Sequence, residues 1–166
     1  LLVSLIAAPL SASELSKPNI VLILADDLGW SDVGFSGAKR IHTPVLNELA
    51  RDGTVFTQFY ASPSCTPSRA ALLTGQYGPR HGVYSVDGFA NTPPALRRVV
   101  GIRSPLKLPA GRRTLADVLT GVGYETALVG KWHLGDAPGD RPQDRGFGIN
   151  VGGGAAGRPD SYFAPY

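Results

Sequence analysis

Asn19-Ile20-Val21-Leu22-Ile23-Leu24-Ala25-Asp26-Asp27 decides the reading of this chain. Its apolar, β-branched run is the pattern of a strand buried on both faces of a parallel sheet. The run closes on two carboxylates, which places them at the strand's carboxyl end. Helical and strand signals then alternate along the chain. Thr43-Pro44 pairs an N-cap with a proline at the first helical position, Val45, Leu46 and Leu49 form an apolar face, and Gly53 is a stop. Residues 54–60 alternate and are rich in β-formers, which predicts a second strand. Thr66-Pro67 repeats the cap-plus-proline signal and Ala70-Ala71-Leu72-Leu73 carries a helix to Gly75, so Cys65 falls immediately before a helix amino terminus. Residues 77–109, dense in Gly and Pro, read as loops. Thr114 caps a helix with Leu115, Val118, Leu119 and Val122 on one side, and residues 124–129 read as a third strand leading into Gly130-Lys131-Trp132-His133.

Strands alternating with helices predict an α/β fold, a mostly parallel central sheet flanked by helices, with ligands bound beyond the carboxyl ends of the strands. Asp26 and Asp27, Cys65, and Lys131 with His133 all follow strands. Three pieces of chemistry are therefore expected at one edge.

The composition fits a globular domain: 166 residues, 43% of them hydrophobic, are enough for one core. Sixteen basic against thirteen acidic residues leave a net charge of +3, with no Lys/Arg run and no interleaving of aromatic and basic residues. That pattern argues against a nucleic-acid partner and is compatible with a small anionic substrate. Residues 1–13 are apolar, too short to span a bilayer, and end in small residues. They read as the remnant of a signal peptide, giving an exported, periplasmic or secreted protein without a stable membrane span. With no Met, the chain is expected to begin inside a longer reading frame.

A single cysteine cannot form an internal disulfide, so Cys65 is a buried small hydrophobe, a reactive thiol or a substrate for modification. Its neighbours Thr66-Pro67-Ser68-Arg69 would surround it with the positive end of a helix and a guanidinium, both suited to an anion. A tyrosine-phosphatase nucleophile requires Arg six positions after the cysteine, where this chain has Ala71. Asp26 and Asp27 offer adjacent hard oxygen ligands of the kind Ca²⁺ or Mg²⁺ takes. Gly152-x-Gly154-x-x-Gly157 matches a dinucleotide fingerprint by letters, but Arg158-Pro159 follows where a helix should start, so it reads as a flexible loop. His42 and His81 read as loop histidines.

Cys65-Thr66-Pro67-Ser68-Arg69, continued by Ala70-Ala71-Leu72-Leu73-Thr74-Gly75, resembles the signature of type I sulfatases, of the alkaline phosphatase superfamily. The resemblance extends to residues 18–29, to Thr43-Pro44 with its helix, and to Gly130-Lys131-Trp132-His133-Leu134-Gly135. It runs from about Lys17 to Arg145-Gly146-Phe147. It implies that Cys65 is oxidised to formylglycine by a separate maturation enzyme, and that Asp26, Asp27 and the modified Cys65 bind Ca²⁺ or Mg²⁺. Arg69 would orient the formylglycine, Lys131 would hold sulfate oxygens, and His133 would contact the hydroxyls of the hydrated aldehyde. The implied activity is hydrolysis of a small-molecule or carbohydrate sulfate ester. A formylglycine-dependent phosphonate monoester or phosphodiester hydrolase, and a binding remnant without turnover, are the alternatives. Residues 14–166 would be the amino-terminal part of a catalytic domain cut short at its carboxyl end, with further metal ligands, a second histidine and a second lysine downstream. Where the family often carries Asp after Gly-Phe this chain has Gly148, and Arg158 and Ser161 are candidates for a polar group in the segment beyond.

Overall fold

Pro44 opens the first helix, α1 (Pro44–Asp52), and Gly53 closes it with its N–H on the Leu49 carbonyl. Thr43 occupies the N-cap but makes no side-chain cap bond. Its hydroxyl instead accepts the Gly34 N–H at 2.8 Å, which ties α1 to the short 3-10 turns Trp30–Asp32 and Gly34–Ser36. The computed structural model describes residues 17–86, 93–99, 102 and 104–164. The signal-peptide reading of residues 1–13 lies outside the described residues.

The helix α2 (Cys65–Thr74) starts earlier than its Thr-Pro signal predicts: Ser64 is the N-cap and Cys65 the first helical residue. Ser68 supplies the reason. Its hydroxyl reaches the carbonyls of Ser62 at 2.9 Å and Ser64 at 2.8 Å, holding the incoming chain against the first turn. Gly75, at φ 63°, ends α2 with its N–H on the Ala71 carbonyl. Within the stretch read as loops, α3 (Gly78–His81) and a 3-10 turn at Pro94–Leu96 appear. Thr114 caps α4 (Leu115–Gly121) as expected, through a reciprocal box with Asp117.

The fold is α/β: β1 (Ala127–Val129) pairs in parallel with β2 (Ile149–Val151), with Ala127 opposite Ile149 and Val129 opposite Val151. The sequence reading supplied β1 as the end of a longer strand and missed β2. A tight turn follows β2, with the Asn150 carboxamide exchanging hydrogen bonds with the Gly153 backbone at 2.9 and 3.0 Å.

Two predicted strands are corrected. Residues 19–25 run extended but join no ladder. Their side chains nevertheless alternate as in a strand: Ile20, Leu22 and Leu24 are 56, 56 and 45% exposed, against 82 and 84% for Val21 and Ile23. Ile20, Leu22 and Leu24 line a cavity of about 240 Å³ together with β1, α2 and α4. Residues 54–60 are broken by a turn at Thr57-Gln58, and Phe56, Phe59 and Tyr60 stay exposed. The α1 face formed by Val45, Leu46 and Leu49 is likewise uncovered.

The core lies between α2 and the chain leaving β1. Ala70, Val83, Leu108, Trp132 and Leu134 are buried together, with Leu73, Leu128 and Phe147 packed on them. Trp132 stands edge-on to Phe147 at 5.9 Å and donates its indole N–H to the Asp140 carbonyl at 3.0 Å. Asp140 is itself held by Arg145 and Lys107, so the residue between Lys131 and His133 is anchored by packing and by a hydrogen bond to a fixed neighbour.

Candidate active site

Burying Trp132 sends its two neighbours the other way. Lys131 Nζ reaches Asp26 Oδ2 at 2.5 Å, and His133 Nδ1 lies 3.3 Å from Thr66 Oγ1 in the first turn of α2. His133 adopts φ 59° and passes its backbone N–H to the Gly154 carbonyl at 2.9 Å, so the chain turns here instead of continuing extended. The loop read as flexible is therefore a partner of this histidine.

Arg69 joins the pieces from α2. Its guanidinium donates from Nη2 to Asp26 Oδ1 at 3.2 Å and from Nη1 to the Lys131 carbonyl at 2.6 Å, with its side chain only 10% exposed. Asp26 thus lies between two cations. Burial alone pushes its carboxyl up, but the hydrogen bonds and charges of Lys131 and Arg69 outweigh that and hold it below the usual carboxylate range. His133 moves down through burial first and then through the charges of Lys131 and Arg69, against a smaller opposing pull from Asp26. A neutral imidazole is favoured here.

Asp26, Asp27, Ser62, Ser64, Cys65 and Arg69 line one cleft of about 280 Å³. Cys65, a half-buried free thiol at the first position of α2, faces the region where the helix's unpaired N–H groups and dipole favour an anion. Asp27 adopts φ 55°, a left-handed conformation that aspartate tolerates better than most residues. Two adjacent carboxylates beside Cys65 are hard oxygen donors of the kind a divalent cation takes, although both oxygens of Asp26 are already engaged by Arg69 and Lys131. They provide only part of its shell, since no three His, Cys, Asp or Glu side chains among the described residues form a metal-holding group.

Of the other candidates, His42 is exposed, and His81 is enclosed in the core with Nδ1 accepting the Val83 N–H at 3.1 Å. Ser161 bonds with the Phe163 backbone in its own turn, and Arg158 is exposed. Thr66, Gly154 and Gly157 are neighbours of His133 that the sequence reading missed. Thr66 carries only an N-cap signal in the sequence, and the glycines only a loop signal.

An α/β protein with a helix-borne cysteine beside carboxylates, and with cations gathered from α2 and from the chain leaving β1, is the class these features define. The chain belongs to the sulfatase family, whose model, described as Sulfatase, matches residues 18–159. It is 40% identical over 168 residues to N-acetylgalactosamine-6-sulfatase of Sus scrofa, covering 100% of this chain and 30% of that protein. To arylsulfatase G of Rattus norvegicus it is 45% identical over 137 residues, 82% of this chain and 24% of that one. Among solved structures, Ps i-CgsB in complex with k-i-k-neocarrahexaose matches with TM-score 0.65 and 39% identity, covering 83% of this chain and 29% of that one. The chain therefore spans less than a third of the length of these relatives.

Proposed function

We propose that this chain carries the nucleophile side of a sulfatase active site, acting on the sulfate ester of a small molecule or carbohydrate. The observation that carries the reading is the Arg69–Asp26–Lys131 cluster, which gathers three separate segments of sequence beside Cys65. Two of the relatives are named as sulfatases, one for a sulfated amino sugar. Oxidation of Cys65 to formylglycine by a dedicated maturation enzyme, in which an external oxidant takes two electrons and the thiol sulfur leaves as sulfide, would give an aldehyde whose hydrate, formed by adding water, has one hydroxyl to attack sulfur and a second whose deprotonation lets sulfate leave. Asp26 and Asp27, with the oxidised residue 65, are the groups here that would hold a Ca²⁺ or Mg²⁺ ion, which supplies positive charge to the sulfate oxygens.

The chain's own side chains account for the rest. Lys131 presents an ammonium to the anionic ester, and Arg69, fixed at two points, brings a second positive charge to the first turn of α2. His133, kept neutral by burial and by those charges, is suited to accept a proton from a hydroxyl at residue 65. The water consumed ends as the hydrogen of the released alcohol and an oxygen of the released sulfate. We also assign the chain to export, on the apolar, small-residue ending of residues 1–13. Among the described residues no helix is long and apolar enough to cross a membrane.

Peptide mass spectrometry after co-expression with a formylglycine-generating enzyme tests the central step. The expected result is conversion of Cys65 to the aldehyde and none in Cys65→Ser, which keeps a hydroxyl but cannot form the hydrate. An unmodified thiol, under conditions that convert a control sulfatase, overturns the reading. Parallel assays on aryl sulfate and aryl phosphate by a maturated relative-length protein decide the ester.

A further inference from the structure

We propose that Thr66 and Gly157 are positioning residues for His133: the Thr66 hydroxyl holds ring nitrogen Nδ1, and the bare backbone of Gly157 leaves room for the opposite edge of the ring. The proposal rests on the reading of His133 as part of the sulfate-ester site. Thr66 is fully buried in the first turn of α2, and its hydroxyl lies 3.3 Å from His133 Nδ1. A buried hydroxyl is costly to leave unpaired, so this contact satisfies Thr66 as well as orienting the imidazole. Whichever tautomer is present, a ring nitrogen bonded to Thr66 cannot also serve a substrate, and the nitrogen left is Nε2.

Gly157 acts from the other side. A Cβ added there would stand 2.7 Å from His133 Cε1 and 2.8 Å from Nε2, closer than nonbonded atoms tolerate. Any other residue would push the ring away or cover the nitrogen left for chemistry. The backbone is anchored too, because the His133 N–H bonds to the Gly154 carbonyl three residues before Gly157. Asn150, bonded to Gly153, sets the turn that delivers this loop. The glycine run thus forms one wall of a seat for the imidazole, with Thr66 as the other.

Long-range ¹H–¹⁵N correlation spectra of the ring nitrogens test this without requiring turnover, so the result stands apart from the sulfatase reading. The chain has three histidines, and the signals lost in His133→Gln identify the relevant pair. Thr66→Val, close in shape but without the hydroxyl, should move the His133 Nδ1 resonance by several ppm, while Thr66→Ser leaves it in place. Gly157→Ala should move both His133 nitrogens. Thr66→Ala gives the same comparison if the Val variant does not fold. An unmoved Nδ1 in the Val or Ala variant overturns the proposal, as does an equal shift in the Ser variant, which would make packing the cause. In a maturated protein that turns over an aryl sulfate, Thr66→Val should lower kcat roughly tenfold or more with KM little changed, and Thr66→Ser should restore it.

Discussion

At the scale of single residues, Arg69 shows why a charge of the right sign is insufficient. Its two terminal nitrogens serve acceptors on different segments, Asp26 and the Lys131 carbonyl, from a nearly buried side chain. An ammonium is a point donor and cannot span both in the same plane. Arg69→Lys should therefore cost about 1–3 kcal/mol of stability and lower turnover of a maturated protein at least tenfold, read by urea unfolding and initial rates. His81 makes a different point. Its Nδ1 accepts the Val83 N–H, so the proton of the neutral ring sits on Nε2, which has no partner among the described residues. Protonation would turn Nδ1 into a donor aimed at another donor. Burial, and then the charge of Arg112, accordingly push His81 below its ordinary 6.5. Between that depressed value and 6.5 the unfolded chain binds a proton that the folded chain refuses, so stability falls as pH drops through this window. His81→Asn keeps a short acceptor for Val83 and removes the titration. Its unfolding free energy should vary less with pH below 6.5 than that of the wild type, and an equal slope would contradict the assignment.

At the scale of elements, helix starts and stops were legible wherever they rest on local chemistry. Pro44 and Gly53 bound α1, Thr114 and Asp117 cap α4, and Gly75 ends α2. Strands were less legible because a ladder depends on a partner that residue pattern does not name. The run at residues 19–25 has strand composition and strand alternation but no partner in hydrogen-bonding register, whereas the short Ile149–Val151, which carries no strong pattern, pairs with β1. The candidate site was legible for the same local reasons: Cys65, Arg69, Lys131 and the aspartates sit in compact motifs, while Thr66 and Gly157 matter only through contact across 67 residues and across the loop. The alternation along residues 19–25 can be weighed directly. Leu24 lines the cavity between α2, α4 and β1, and Val21 faces out. Leu24→Ala should lower stability by about 1–2 kcal/mol and Val21→Ala by less than about 0.5 kcal/mol. Equal losses in thermal unfolding would mean that the run's two faces are not distinguished.

At the scale of the whole molecule, the Lys131–His133 segment of the site is continuous with the core, since Trp132 between them is held through Asp140, Arg145 and Lys107. The cation side is built differently. Asp26 has both carboxylate oxygens engaged by Arg69 and Lys131, so a metal bound at the proposed site would have to compete with two resident charges for this ligand. Asp27 and Cys65 add two more donors to the cleft, and no further His, Cys, Asp or Glu completes a cluster among the described residues. Calcium takes roughly six to eight oxygens, so most of its shell would be water. Apolar surface is also uncovered on several sides, including Val21, Ile23, Val45, Leu49, Phe56, Phe59, Val129 and Ile149. The 166-residue chain on its own should therefore bind Ca²⁺ only weakly. With Cys65 converted, it should release sulfate from an aryl ester far more slowly than a maturated relative of full length, and it should self-associate as concentration rises. Calcium titration calorimetry, sulfate release and sedimentation on the same preparation read the three expectations. Tight calcium binding with rapid turnover by a monomer would show that Asp26, Asp27, Cys65, Arg69, Lys131 and His133 suffice for the reaction.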